Sequence, residues 1–395
     1  MKKNYWIISI LGFYLCSLLI VSGCDIQIGD WGKARYERTV QQQTSLAPGS
    51  TVIAETSFGS VTVAGADVAD CNVVAKISVQ APTEEEAQEI AEQVKIELEP
   101  VGNTLTVKAE KPPKKSRRSI SISYNITVPK ETNVECASSF GSIKLTNLNG
   151  NVKGKTSSGS ITAENINGSA RLSTSFGSVT CKNISGDEIK LKSSSGSITA
   201  ENVQGSVQLD TSFGPITCKD MSDGDIKLKT SSGKIKLSNA SFGDCDVHTS
   251  FGSITSDELK GNSIKLHSGS GSINVTKASA DTANISTSFG SITCRQITST
   301  DITAKSGSGH IDIACSDSTP PEISANVVTS FGSIDFVTPP DFSGQVNLTT
   351  SYGSIKTDLP ITIMGEVSKK KLTGVIGEGK GKLHLQTSSG SIKIK

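Results

Sequence analysis

Apolar residues recur in this chain with two periods at once. Locally they alternate with polar ones, as in Ile189-Lys190-Leu191, Val207-Gln208-Leu209 and Ile226-Lys227-Leu228. Period two is the signature of a strand with one buried face. At longer range the pattern returns around a short phrase, Thr174-Ser175-Phe176-Gly177-Ser178-Val179 in one form and Ser194-Ser195-Gly196-Ser197-Ile198 in the other. The phrase glycines are Gly141, Gly159, Gly177, Gly196, Gly214, Gly233, Gly252, Gly271, Gly290 and Gly309, every step being 18 or 19 residues. Numbered from that glycine, positions −7 (Val152, Ile189, Val207), −5 (Leu172, Leu191, Leu209), +2 (always Ile or Val) and +7 (Ile166, Ile184, Val203) are apolar. A fixed period of this length marks a solenoid in which each repeat buries its apolar face on its neighbours. A second turn signal, such as Asn167-Gly168 or Ser185-Gly186, sits about halfway between phrase glycines. The expected fold is therefore all-β, a β-solenoid (β-helix) of about 18–19-residue coils, each with two short strands and two corners.

A second rhythm overlies the first. Position −1 alternates Phe140, Ser158, Phe176, Ser195, Phe213, Ser232, Phe251, Ser270, Phe289, Ser308, so the full sequence period is 37–38 residues. Position +5 alternates Glu164, Lys182, Glu201, Lys219. In short coils these opposite charges become neighbours one strand apart, whereas in coils of double length like charges would stack, which is unfavourable. The short coil is thus expected, with Phe beside Ser and Cys beside Ala filling an interior with large against small.

Residues 1–23 read as a lipoprotein signal peptide, with Lys2 and Lys3 ahead of an apolar run from Tyr5 to Val21. Val21-Ser22-Gly23-Cys24 resembles the bacterial lipobox, which implies lipid attachment at Cys24 and a membrane partner through that N-terminal lipid. Residues 24–49 read as a polar tether ending in Pro48-Gly49, and 50–130 as an N-terminal β segment with one short helix insertion and capping strands. Thr83 and Glu86 make a capping box, acids crowd the first turn, and Ala87, Ile90, Ala91 and Val94 form the apolar stripe. Lys111 to Arg118 reads as a basic, solvated loop. Residues 131–395 are the repetitive β-solenoid, the phrase returning at Gly332, Gly353 and Gly390. From Thr51 to Lys395 there is room for roughly seventeen to eighteen coils, a rod on the order of 80 Å. The final strand is expected to form an open edge that Lys393 and Lys395 protect against edge-to-edge joining.

Composition narrows the function. Aromatics are only 5% and formal charge is +1; without Lys2 and Lys3 there are 37 basic against 38 acidic residues, which gives no argument for nucleic acid. Of nine cysteines, Cys181, Cys218 and Cys294 share position +4 with Ala163, Ala200 and Ser256, and so read as small buried groups. No CxxC and no paired-histidine spacing is present, so no metal and no cofactor is expected. The four histidines are His248, His267, His310 and His384, of which the first two share position −4 on adjacent rungs, where a solvated polar stripe is the expected role. The Ser-x-Thr face, as at Ser160/Thr162, is explained by β propensity. No nucleophile–base pair, phosphate loop or paired carboxylates stand out, and an enzyme is not expected.

Ile126-Thr127-Val128-Pro129-Lys130-Glu131-Thr132-Asn133-Val134, followed by Gly141-Ser142-Ile143 and the repeated Thr-Ser-x-Gly-x-Ile units, resembles a bacterial family of unknown function labelled "putative adhesin". The resemblance covers about residues 40–395 and implies an envelope-associated, non-enzymatic β-solenoid. The expected protein is a lipid-anchored adhesin-like or scaffold module at the cell membrane, facing periplasm or exterior. Cell-surface glycan, peptide or envelope protein are its candidate partners. An envelope-stress sensor binding a peptide or lipid is the alternative, and a polysaccharide-active enzyme the remote one.

Overall fold

The computed structural model describes residues 34–113, 118–364 and 368–395. The signal peptide read over residues 1–23, Cys24 and residues 114–117 of the basic loop lie outside them.

The described chain winds into a β-solenoid of about 11 turns with coils near 19 residues. Successive coils pair in parallel at the register the short period demands: Ile161 on Val179, Val179 on Ile198, Ile198 on Ile216. The +5 charges are neighbours, Glu164 beside Lys182 and Lys182 beside Glu201, with Lys182 Nζ 3.8 Å from Glu201. Positions −7, −5, +2, +4 and +7 line one continuous buried core. The cysteines Cys181, Cys218 and Cys294 sit inside it as free thiols.

Five expectations change. First, each coil has a third bend. Position +6 takes the left-handed conformation at Asn147, Asn165, Asn183, Asn202, Asp220 and Asn239, with φ between 51° and 58°. Asn and Asp tolerate this region because their short polar side chains bond locally. Here Asn165 Nδ2 donates to Asn147 Oδ1 at 2.9 Å, Asn183 to Asn165 at 2.8 Å and Asn202 to Asn183 at 2.9 Å.

Second, the supposed tether holds a strand, Ala34–Ser45, antiparallel to Asp70–Ala81. Its polar residues anchor the helix Glu84–Gln93: Arg38 donates to Ala91 O at 3.0 Å and Val94 O at 3.3 Å, which satisfies carbonyls at the helix C-terminus. At the other end Thr83 Oγ1 accepts from Glu86 N at 3.2 Å. The Glu86 carboxylate pairs with Arg118.

Third, the coil count falls below seventeen to eighteen because the helix, the antiparallel strand pairs near the N-terminus and a hairpin near the C-terminus consume chain without adding coils. Fourth, the last strands are not an edge. Gly381–Thr387 lies between Ser324–Thr329 and Gly344–Thr350, and Ile392–Ile394 between Ile334–Val337 and Ile355–Thr357. The chain overshoots by one coil, turns back through Thr362–Ile363 and Lys371–Ile376, and threads its end into the gap. Lys393 is thus an interior rung, and the edge is left to Ile355–Thr357 and to Thr362–Ile363 of the antiparallel hairpin.

Fifth, the phenylalanines of the phrase point outward. Strand alternation from −5 through −3 would turn −1 inward, whereas alternation back from +2 would turn it outward. At the corner the two phases collide, and residues −2 and −1 both face solvent while −3 and the glycine stay in, as in Thr174, Ser175, Phe176 and Gly177.

Candidate interaction surface

The corner that carries these aromatics is built from hydroxyls. At −3, Thr174 Oγ1 donates to Gly159 O on the preceding rung at 2.9 Å and accepts from its own Gly177 N at 3.2 Å. Thr156, Ser193, Thr211, Thr230, Thr249, Ser268, Thr287 and Ser306 make the same pair of bonds. These buried side chains thereby satisfy backbone groups that the bend would otherwise strand. The following glycine is obligatory for a different reason: a Cβ on Gly233 would run into the carbonyl of Gly214 one rung below. The Thr and Gly of the phrase are structural, and the one trace of the hydroxyl ladder in the sequence is the restriction of −3 to Thr or Ser.

Outside this corner stands a comb. Phe140, Phe176, Phe213, Phe251, Phe289, Phe331 and Tyr352 are between 59 and 83% exposed. Serines 158, 195, 232, 270 and 308 occupy the intervening rungs. The threaded C-terminus extends the order. In sequence Phe331 is followed by Tyr352, two aromatic rungs in succession, but in space Ser389 stands between them, with Ser389 N bonding Ser330 O at 3.0 Å and Tyr352 N bonding Ser388 O at 2.9 Å. Alternation is broken at the N-terminal end, where Phe58 and Phe140 on adjacent rungs stack with centroids 5.0 Å apart and planes 6° from parallel.

Other polar features lie on the flanks. His248 and His267 stack at 4.9 Å, and His267 Nδ1 is 2.9 Å from Ser286 Oγ. Burial, the neighbouring His267 and Lys229 hold the His248 imidazole below its ordinary value. Burial pushes the thiols of Cys181 and Cys294 up to about 12, which makes them poor nucleophiles. Among the described residues no three His, Cys, Asp or Glu side chains converge as a metal site. Among them, too, no helix is long and apolar enough to cross a membrane. Surface depressions are shallow grooves between polar corners, such as the one lined by Asn202, Asp220, Asn239, Glu258 and Lys277.

The profile of the Toastrack DUF4097 family matches this chain twice, over residues 62–238 and 216–395. The chain belongs to that family. The resemblance carried by Ile126–Val134 and the Thr-Ser-x-Gly units therefore holds. Several solved structures align with it, among them the following three. A "putative cell adhesion protein" from Clostridium sporogenes is 10% identical, covering 91% of this chain and 99% of its own, at a TM-score of 0.19. A "putative adhesin" from Bacteroides fragilis is 12% identical, covering 91% and 97%, at 0.20. A "putative lipid binding protein" from Parabacteroides distasonis is 13% identical, covering 90% and 97%, at 0.20. No curated protein matches the chain.

Proposed function

We propose that this Toastrack protein is a non-enzymatic, adhesin-like or scaffold rod of the cell envelope, lipid-anchored at Cys24 and acting through its repeated outward face. The observation that supports the reading is the corner: its buried residues are spent on backbone hydrogen bonds, and its exposed residues form one aromatic row at fixed spacing. Chemistry needs one irregular site where a nucleophile, base and charge stabiliser converge. A regular row repeats one weak contact many times instead, which suits an extended partner through avidity.

Two measurements test the reading. Radiolabelled palmitate should enter the wild-type chain and not Cys24→Ala, and only the wild type should sediment with membranes. Membrane sedimentation of Cys24→Ala would sink the anchor. The purified rod should bind whole cells, an envelope fraction or arrayed glycans without altering them. Depolymerisation of an arrayed polysaccharide would replace the scaffold with an enzyme.

A further inference from the structure

The aromatic comb has the geometry of half a zipper. Neighbouring rungs lie about 4.8 Å apart, so teeth two rungs apart leave slots of about 9.6 Å between ring centres. The floor of each slot is an exposed serine, Ser232 between Phe213 and Phe251 being the central example. A ring entering that slot from outside would rest about 4.8 Å from each wall. That is the stacking distance the chain already uses between Phe58 and Phe140, at 5.0 Å. The comb therefore fits an object with flat apolar teeth at its own spacing.

We propose that this object is a second copy of the chain, docked antiparallel so that the phenylalanines of each copy drop onto the serine rungs of the other. Antiparallel docking follows from symmetry. A two-fold axis along the rods keeps every rung at its own height, so tooth meets tooth. A two-fold axis perpendicular to the rods, passing midway between Ser232 and the Phe213 or Phe251 rung beside it, sets the phenylalanines of the alternating stretch over notches. Such an interface is self-complementary, as an isologous contact must be.

Charge supports the same register. At −4, beside the comb, Lys155, Lys192, Lys229 and Lys305 all stand on Ser rungs. The Phe rungs carry Ser173, Asp210, His248 and Ser286 there. Meshing Phe over Ser therefore places every one of these lysines opposite a rung that has no lysine at −4. The tooth-on-tooth register would set lysine against lysine, which is repulsive. Area is sufficient as well. Six phenylalanines and a tyrosine, each offering on the order of 100 Å² of ring, bring roughly 700 Å² per copy, near the value for a stable interface.

A sugar chain lying along the rod fits less well. The stacked Phe58 and Phe140 turn their ring faces toward each other along the rod rather than outward. The residues around the teeth are serines, with few of the amide and acid groups that fix sugars in place. The proposal deepens the scaffold reading by naming the partner of this surface. A monomeric rod that still bound cells or glycans would sink the zipper and leave that reading standing.

Sedimentation velocity of the full chain in mild detergent tests it. The wild type should dimerise, and the double variant Phe213→Ser/Phe251→Ser should dissociate at least about tenfold more readily. The decisive variant is Ser232→Phe. It fills a notch with a ring that adjacent rungs tolerate, as Phe58 and Phe140 do, so it keeps the fold while blocking the partner's tooth. It should weaken association by a similar factor, with unchanged circular dichroism. A wild type that stays monomeric would overturn the proposal, as would a Ser232→Phe dimer of undiminished affinity. Tighter binding of Ser232→Phe to phosphatidylglycerol vesicles or to a glycan array, without loss of a dimer, would hand the comb to a membrane or a sugar instead.

Discussion

Thr249→Val should cost far more than the loss of one oxygen atom suggests. Thr249 is fully buried at position −3 of a central coil. Its hydroxyl donates to Gly233 O at 3.1 Å and accepts from Gly252 N at 3.1 Å, so a single group satisfies one rung's carbonyl and its own rung's amide. Valine keeps the shape and leaves both backbone groups without this partner. Each buried group so stranded costs about 1–3 kcal/mol. The extra methyl surface returns about 1 kcal/mol, for a net loss near 3 kcal/mol. Thr249→Ser retains both bonds and loses only a methyl, about 0.8 kcal/mol. The chain already accepts that exchange, since Ser268 makes the same bonds at 2.9 and 2.8 Å. Because a solenoid's stability is carried by nearest-neighbour contacts, the damage should centre on the coils of Gly233 and Gly252. Urea denaturation gives the midpoint, and amide exchange by mass spectrometry locates the loss. A Thr249→Val rod with wild-type midpoint and wild-type protection around Gly252 would refute the hydroxyl ladder as a source of stability.

Three further outcomes follow from the same geometry. Glu258 and Lys277 hold left-handed conformations, φ 55° and 53°, in the column that five other coils fill with Asn. Replacing both by Asn should raise the denaturation midpoint, since a non-Gly, non-Asn residue pays roughly 1–2 kcal/mol there while their exposed ion pair returns at most about 1 kcal/mol; an unchanged or lower midpoint counts against the Asn column. The His248 imidazole is held below its ordinary 6.5, so the unfolded chain takes up that proton first: the stability is fully present above 6.5 and is lost as pH falls through the lowered native value. The drop in melting temperature between about pH 7.5 and about pH 5 should therefore shrink in His248→Gln, and an identical drop would exclude the stacked pair as its source. Finally, maleimide should label Cys181 and Cys294 only after denaturation, because both thiols are buried and pushed up to about 12; labelling of either one in the native rod, located by peptide mass spectrometry, would contradict the packing.

The coil length, the parallel register and the buried columns were legible because each is a periodic property of the chain itself. A strand alternates faces by its own stereochemistry, and phrase glycines 18 or 19 residues apart set the length of a rung or of half of one. The +5 charges then chose between the two possible periods. The helix, too, was written locally, in Thr83 and the apolar stripe of Ala87, Ile90 and Ala91. The aromatic row was visible as a pattern, but its direction was not. Phe176 lies where the phase of one strand gives way to that of the next, and either phase could have claimed it.

What the sequence determined alone was therefore the rung: which residues face inward along each straight segment, and how many residues close a coil. What only the tertiary structure decided was everything that happens between segments. The side-chain bonds along the +6 column and the bond from each −3 hydroxyl to the carbonyl of the preceding rung reach groups one rung away, which no local pattern names. The order of the last rungs is the sharpest case. Read along the chain, Phe331 and Tyr352 break the alternation. Read through space, Ser389 threads between them and restores it, because the strand that fills the gap arrives from the chain's far end.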